Sequence, residues 1–173
     1  MQPRPKVIGG FTFVEVTAVL VILAIISTTI ISRSGSFSTD LTSQTEILKT
    51  HLRYAQTLGM SGSDANDIFG IKCDAGFYWM FKGTDPDNNI IMLLDDQQYN
   101  TNNDGKLDLN RKKIAIGTPF TVLFDQRGIP YTSYTNESTN TPFSEDLLIN
   151  ITPAGEAAPV ESITLTLHTG FIP

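Results

Sequence analysis

Lys6-Val7-Ile8-Gly9-Gly10-Phe11-Thr12-Phe13-Val14-Glu15 leads directly into an apolar run that ends at Ile31. Residues 11–31 read FTFVEVTAVLVILAIISTTII, without Pro or Gly, and Glu15 is the only charge among them. As a helix, about 21 residues rise roughly 30 Å, the thickness of the hydrocarbon core of a bilayer. A transmembrane helix is therefore expected at the N-terminus. Arg4 and Lys6 precede it and Arg33 follows. Two cations on a very short tail favour keeping that tail in the cytoplasm, with everything after Ile31 exported.

A secretion signal is cut after its apolar region, at small residues. Here Arg33 interrupts the segment SRSGSFSTD that follows Ile31, and the prominent small pair, Gly9-Gly10, comes before the apolar region. Cleavage there would remove the basic tail and leave the helix on the mature chain. Glu15 then needs an account, because a carboxylate in hydrocarbon costs at least about 2.5 kcal/mol on insertion scales. It can lie about a turn inside the helix start and reach the headgroups, or it can pair with a cation in the membrane plane. A cut after Gly10 would give Phe11 a free amine four residues from Glu15. An amine–carboxylate pair between neighbouring subunits would relieve both charges, and this second reading is favoured.

The Gly10–Phe11 junction, Glu15 as the fifth residue counted from Phe11, and the apolar run behind them resemble the class III signal of type IV prepilins and pseudopilins. The resemblance implies cleavage between Gly10 and Phe11 by a prepilin peptidase, N-methylation of Phe11, and a role for Glu15 in assembly. It also implies other pilins or pseudopilins and an inner-membrane assembly platform as partners. Phe13 stands where that signal more often has Leu, which keeps the position apolar.

Behind the anchor, Ser34-Gly35-Ser36 is a weak spot for a helix, and residues 41–60 read LTSQTEILKTHLRYAQTLGM. Leu41, Leu48, Leu52 and Ala55 form one apolar stripe at helical spacing, with Glu46, Lys49 and Arg53 off it. Gly59 and Ser61-Gly62-Ser63 end the helix. Beyond it come short β-type runs, FGIKC, GFYWMFKG, NIIMLLD, KKIAIG, FTVLFD, DLLINIT and SITLTLH, separated by Gly, Pro, Asn and Asp clusters. They predict an antiparallel head covered on one side by the helix. The polar region Tyr131 to Glu145 reads as an exposed loop.

Phe124-Asp125-Gln126-Arg127-Gly128-Ile129-Pro130 and the ending Ile163 to Ile172, with Thr169-Gly170 inside it, are similar to paired elements of GspH/FimT-type pseudopilins. Physically, Gly128 and Gly170 are good turn formers between strands. The expected fold class is α+β, and the resemblance makes it a type IV pilin-like fold. Its expected parts are a cleaved leader at 1–10, a transmembrane and filament-core helix at 11–33, an amphipathic helix half at 34–60, and a periplasmic β-rich head at 61–173.

The 173 residues suit one domain plus an anchor. A net charge of -6 disfavours general binding of nucleic acid, which needs a basic face. Arg111-Lys112-Lys113 reads as a solvated edge. Cys73 is the only cysteine, which excludes an intramolecular disulfide and a thiolate zinc site, and it reads as a small buried hydrophobe.

One stretch carries metal chemistry. Asn100, Asn102 and Asp104 alternate, then come Gly105, Leu107 and Asp108, as in the first nine positions of an EF-hand calcium loop. Arg111 stands at the twelfth position, where a bidentate Glu belongs, and Asp95 or Asp96 could supply the missing carboxylate. The competing reading is a polar turn between strands. Catalysis has no constellation: His51 on the helix and His168 on a strand lack neighbours for a triad or metal cluster, and Tyr78, Trp79 and Phe81 read as core. The expected function is structural, that of a minor pseudopilin of a type II secretion system. The alternative is a minor, FimT-like type IV pilin in pilus assembly or DNA uptake.

Overall fold

The computed structural model describes residues 12–64, 67–93, 98–100 and 102–173, with the backbone alone over 28–39. It divides into two compact units, Met1–Ser38 and Thr39–Pro173. The fold class is α+β, a helix packed against antiparallel sheets.

Helix α1 (Phe13–Ser61) starts at a capping signal. Thr12 sits just outside it and its Oγ1 accepts the Glu15 N–H at 3.3 Å. Thr-x-x-Glu is the sequence form of a capping box, in which the hydroxyl satisfies one of the first turn's orphan N–H groups. The expected loosening at Ser34-Gly35-Ser36 is absent from the backbone, which stays helical there. One helical Gly costs only about 1 kcal/mol, too little by itself to break a long helix.

The large side chains from Phe13 to Ile26 are exposed. Among the described residues no helix is long and apolar enough to cross a membrane. The described side chains of the apolar run extend from Phe13 to Ser27, about 22 Å of helix, short of the roughly 30 Å a span requires. Gly10 and Phe11 lie outside the described residues, as do the side chains of 28–31. The expected leader and the first residue of the expected span therefore lie outside the described residues, and the far end of the span is described in its backbone alone.

In the second unit, the stripe read from the sequence is the buried face of α1. Leu41, Leu48, Leu52 and Ala55 are all buried in the main core. Each buried Leu contributes about 1.5–3 kcal/mol relative to an exposed one. Two antiparallel sheets take up that face. The larger orders as β3 (Ile90–Ile91), β2 (Phe77–Lys82), β1 (Phe69–Cys73), β6 (Phe120–Phe124), β7 (Pro130–Asn136) and β8 (Thr139–Pro142), with β4 (Leu107–Asp108) also on β2. The smaller orders as β10 (Glu161–Leu165), β9 (Leu147–Pro153) and β5 (Ile114–Ile116).

Strand β2 shows why the larger sheet has apolar residues on both faces. Successive side chains alternate across a pleated sheet, so Tyr78 and Met80 join the main core with the helix, while Trp79 and Phe81 join a second core. That second core also takes Ile68, Leu123, Tyr131 and Tyr134. Residues 131–142, expected as a loop, form the β7–β8 hairpin. Its two tyrosines bury in the second core, and Asn136 Oδ1 accepts the Ser138 and Thr139 N–H groups to make the turn. The threonine- and asparagine-rich composition hid a strand pair whose outer positions face water.

Candidate functional site

Glu15 lies in the first turn of α1 and is exposed, as are the apolar side chains around it. Phe13, Val14, Thr17, Ala18, Val21 and Ile22 line a shallow, almost wholly apolar surface depression on one side of the helix. A carboxylate at a helix N-terminus is favoured by the macrodipole. Thr12, three residues before Glu15, is the sequence signal for this second role.

The two glycine-centred elements, far apart in sequence, come together on the head. Gly128 (φ +74°) and Gly170 (φ +60°) both occupy the left-handed region. Between them stands Gln56 of α1, whose Nε2 donates to Gly128 O at 3.0 Å and to Thr169 O at 3.1 Å. One turn earlier, Arg53 donates through Nε and Nη2 to Ile172 O at 3.3 and 2.9 Å. The helix thus fixes the C-terminal segment through polar side chains flanking its apolar stripe. Neither Gln56 nor Arg53 was legible as a clamp, since a polar residue beside an apolar stripe reads as solvated.

Asp125, at the start of the Gly128 turn, is almost completely buried. Its Oδ1 accepts the backbone N–H groups of Arg127 and Ile129, and its Oδ2 accepts Arg127 Nε and Nη2 and the Tyr131 hydroxyl, all between 2.8 and 3.0 Å. A carboxylate can be buried at this depth only when its lone pairs are filled. Burial first, and then the hydrogen bond to Asp125 and its charge, push the Tyr131 phenol up.

The 100–108 stretch is held as a turn by its own oxygens. Asn100 pairs with Leu107 in an isolated bridge, and Asn100 Oδ1 accepts the Asp104 N–H at 3.1 Å. Asp104 Oδ1 accepts the Lys106 N–H at 2.9 Å, and Asp108 Oδ1 accepts the Asn110 N–H at 2.8 Å. Asn102 lies in the intervening bend, and Gly105 takes φ +82°. Arg111, at the twelfth position, directs Nη1 to Gln98 O at 3.3 Å and has no carboxylate to close the loop. Among the described residues no three His, Cys, Asp or Glu side chains group as metal ligands, and Asp95 and Asp96 lie outside those residues. These residues fit calcium poorly. Millimolar calcium is expected to leave the melting temperature unchanged. Asp104→Ala should lower stability by about 1 kcal/mol with or without calcium, through the lost turn bond. A calcium-dependent rise that Asp104→Ala abolishes would restore the metal reading.

His51 is buried and shares a 3.1 Å hydrogen bond between Nδ1 and the Tyr78 hydroxyl. His168 lies in a turn, since β10 ends at Leu165. Of the basic run, Arg111 and Lys113 are exposed but Lys112 is buried. Its Nζ donates to Gln44 Oε1 at 3.0 Å and lies 4.2 Å from the Tyr99 ring centroid. The solvated-edge expectation fails at that one position because aromatic faces and an amide replace water around the ammonium. Cys73 is buried, and burial pushes its thiol up to about 12, which suits an inert core residue. No family model, no curated protein and no solved structure matches this chain.

Proposed function

We propose that the chain is a minor pseudopilin with a type IV pilin-like fold, a structural subunit of a type II secretion pseudopilus and not an enzyme. The observation that carries this reading is a single helix with two different halves. Its N-terminal half exposes Phe13, Val14, Val16 and the large apolar residues to Ile26, with Glu15 among them. Its C-terminal half buries Leu41, Leu48, Leu52 and Ala55 in a β-sheet head. Exposed apolar surface on that scale calls for lipid or neighbouring helices.

In this reading the leader 1–10 is removed between Gly10 and Phe11 and the Phe11 amine is methylated. The helix then waits in the inner membrane with the head on the exported side. Assembly moves the helix from lipid into a bundle of its neighbours, where Glu15 meets a terminal amine. The energy for extraction comes from a separate motor acting through the assembly platform. The alternative of a DNA-uptake pilin needs exposed cations near the end of the head. The sequence has no Lys or Arg after Arg127, and Arg127 itself is paired with Asp125.

Intact-mass and N-terminal analysis of the protein extracted from membranes tests the first step. The expected product begins at Phe11 with a methylated amine when a prepilin peptidase is co-expressed, and a Gly10→Val variant should keep residues 1–10. A product that retains its leader beside an active peptidase, or that is cut after Ile31, would overturn the reading.

A further inference from the structure

Beside the Asp125 turn the head carries a polar cavity of about 290 Å³, lined by Asp125, Gln126, Arg127, Tyr134 and Glu137. We propose that this cavity is a binding site for an alkylguanidinium or alkylammonium group, supplied by an Arg or Lys side chain of a neighbouring protein chain. The inference uses only the head and stands independently of the filament reading.

The charge balance of the cavity decides what it can take. The Arg127 guanidinium is spent on Asp125, with Nε at 2.9 Å and Nη2 at 2.8 Å from Oδ2. That pair leaves Glu137 as the uncompensated charge. Glu137 occupies the tip of the β7–β8 hairpin, where Asn136 Oδ1 holds the turn through the Ser138 and Thr139 N–H groups. The Asn140 amide donates to the Glu137 main-chain oxygen at 2.7 Å, which fixes the backbone and leaves the carboxylate outside the hydrogen bonds of the turn.

Tyr134 lines the same cavity and is 5% exposed, yet its hydroxyl forms no hydrogen bond among the described residues. The hydroxyl stays open to the cavity, where a ligand can reach it, while the ring is buried. The Tyr131 ring meets it edge-on at 5.2 Å between centroids, which fixes its position in the wall. Burial first, and then the negative charges of Asp125 and Glu137, push the Tyr134 phenol up, with Arg127 opposing. Two carboxylates, Asp125 and Glu137, against one guanidinium, Arg127, leave the lining with an excess of negative charge. A cation with N–H donors would satisfy the Tyr134 oxygen and the Glu137 carboxylate together, while the Gln126 amide offers a further acceptor. At the lower end of ligand-pocket volumes, the space suits one side chain better than a cofactor.

The full-length chain in detergent micelles, with Tyr side chains isotope-labelled, can be titrated with ethylguanidinium, a capped Gly-Arg-Gly peptide and propionate. Saturable shifts of the Tyr134 ring are expected with the two cations and none with propionate. The peptide should bind roughly fivefold more tightly than ethylguanidinium, because its backbone meets the polar rim. Glu137→Gln, at an exposed tip, should weaken peptide binding by roughly fivefold without moving the melting temperature. Tyr134→Phe should weaken it while keeping the ring contact with Tyr131. Saturation by propionate, or unchanged affinity in Glu137→Gln, would overturn the site. Equal affinity for ethylguanidinium and the peptide would overturn a protein side chain as the source and leave a free small cation.

Discussion

In the proposed pseudopilus, Glu15→Gln is expected to match the parent chain in membrane insertion and removal of residues 1–10, yet to enter filaments at least about tenfold less often. The choice of Gln separates two roles that coincide at one residue. Glu15 is third from the start of α1, behind Thr12, whose hydroxyl already accepts the Glu15 N–H. Gln serves a capping box as Glu does, so the helix start survives the substitution. What Gln removes is the charge. In the proposed filament a Phe11 ammonium would then be left in an apolar bundle without its carboxylate. An unmatched buried charge of that kind costs about 3–5 kcal/mol, more than a factor of ten in any assembly equilibrium. Glu15→Ala should be no better assembled than Glu15→Gln. Counting tagged subunits in purified filaments, with membrane fractions assayed in parallel for trimming, gives the answer. Parent-like incorporation of Glu15→Gln alongside failure of Glu15→Ala would reassign the residue to helix capping.

The second large effect is on stability. Gly170→Ala should cost about 3–4 kcal/mol, or roughly 10 °C in melting temperature for a chain of this size. Part of that is the left-handed backbone at φ +60°, worth roughly 1–2 kcal/mol to any residue with a Cβ. The rest is steric. An added Cβ would stand 2.5 Å from Gly128 O and 2.6 Å from Gln56 Nε2. Gln56 would have to withdraw from the two carbonyls it bridges, and losing partly buried hydrogen bonds costs about 1 kcal/mol each or more. Gly128→Ala should cost less, since its nearest neighbour is the Met60 Sδ at 2.9 Å, the end of a flexible side chain. Gly155→Ala is the control. It has φ +82° with nothing within 4 Å of the added atom, so only the backbone term of about 1 kcal/mol remains. Thermal melts of the three variants should rank Gly170, Gly128, Gly155 from most to least damaging. Equal losses would show that backbone conformation alone sets the cost and that the Gln56 clamp is irrelevant.

Much of the fold could be read from local pattern. Leu41, Leu48, Leu52 and Ala55 recur at helical spacing because that stripe of α1 faces the core, where they are buried beside Thr45 and His51. The runs that became β1, β2, β6, β9 and β10 stand out because β-branched and aromatic residues alternate between turn formers. The β7–β8 hairpin escaped notice because most of its positions face water, and there Thr, Ser and Asn serve as strand residues while also reading as loop.

The candidate sites divide along the same line. Glu15 could be singled out in the sequence by itself, because a lone carboxylate in an apolar run costs free energy wherever the chain folds. The acidic charge, the single Cys73 and the sequence range of α1 were likewise determined before any contact was known. What only the tertiary structure decided is which polar groups meet. Gln56 reaches its partners across 72 and 113 residues, and Arg53 across 119. Lys112 is buried against Gln44 across 68. Hydrophobic periodicity reports which face of an element leaves water, a property of a few neighbouring residues. A hydrogen bond between polar groups requires two segments to arrive at about 3 Å with matched geometry, and only the closed chain sets that.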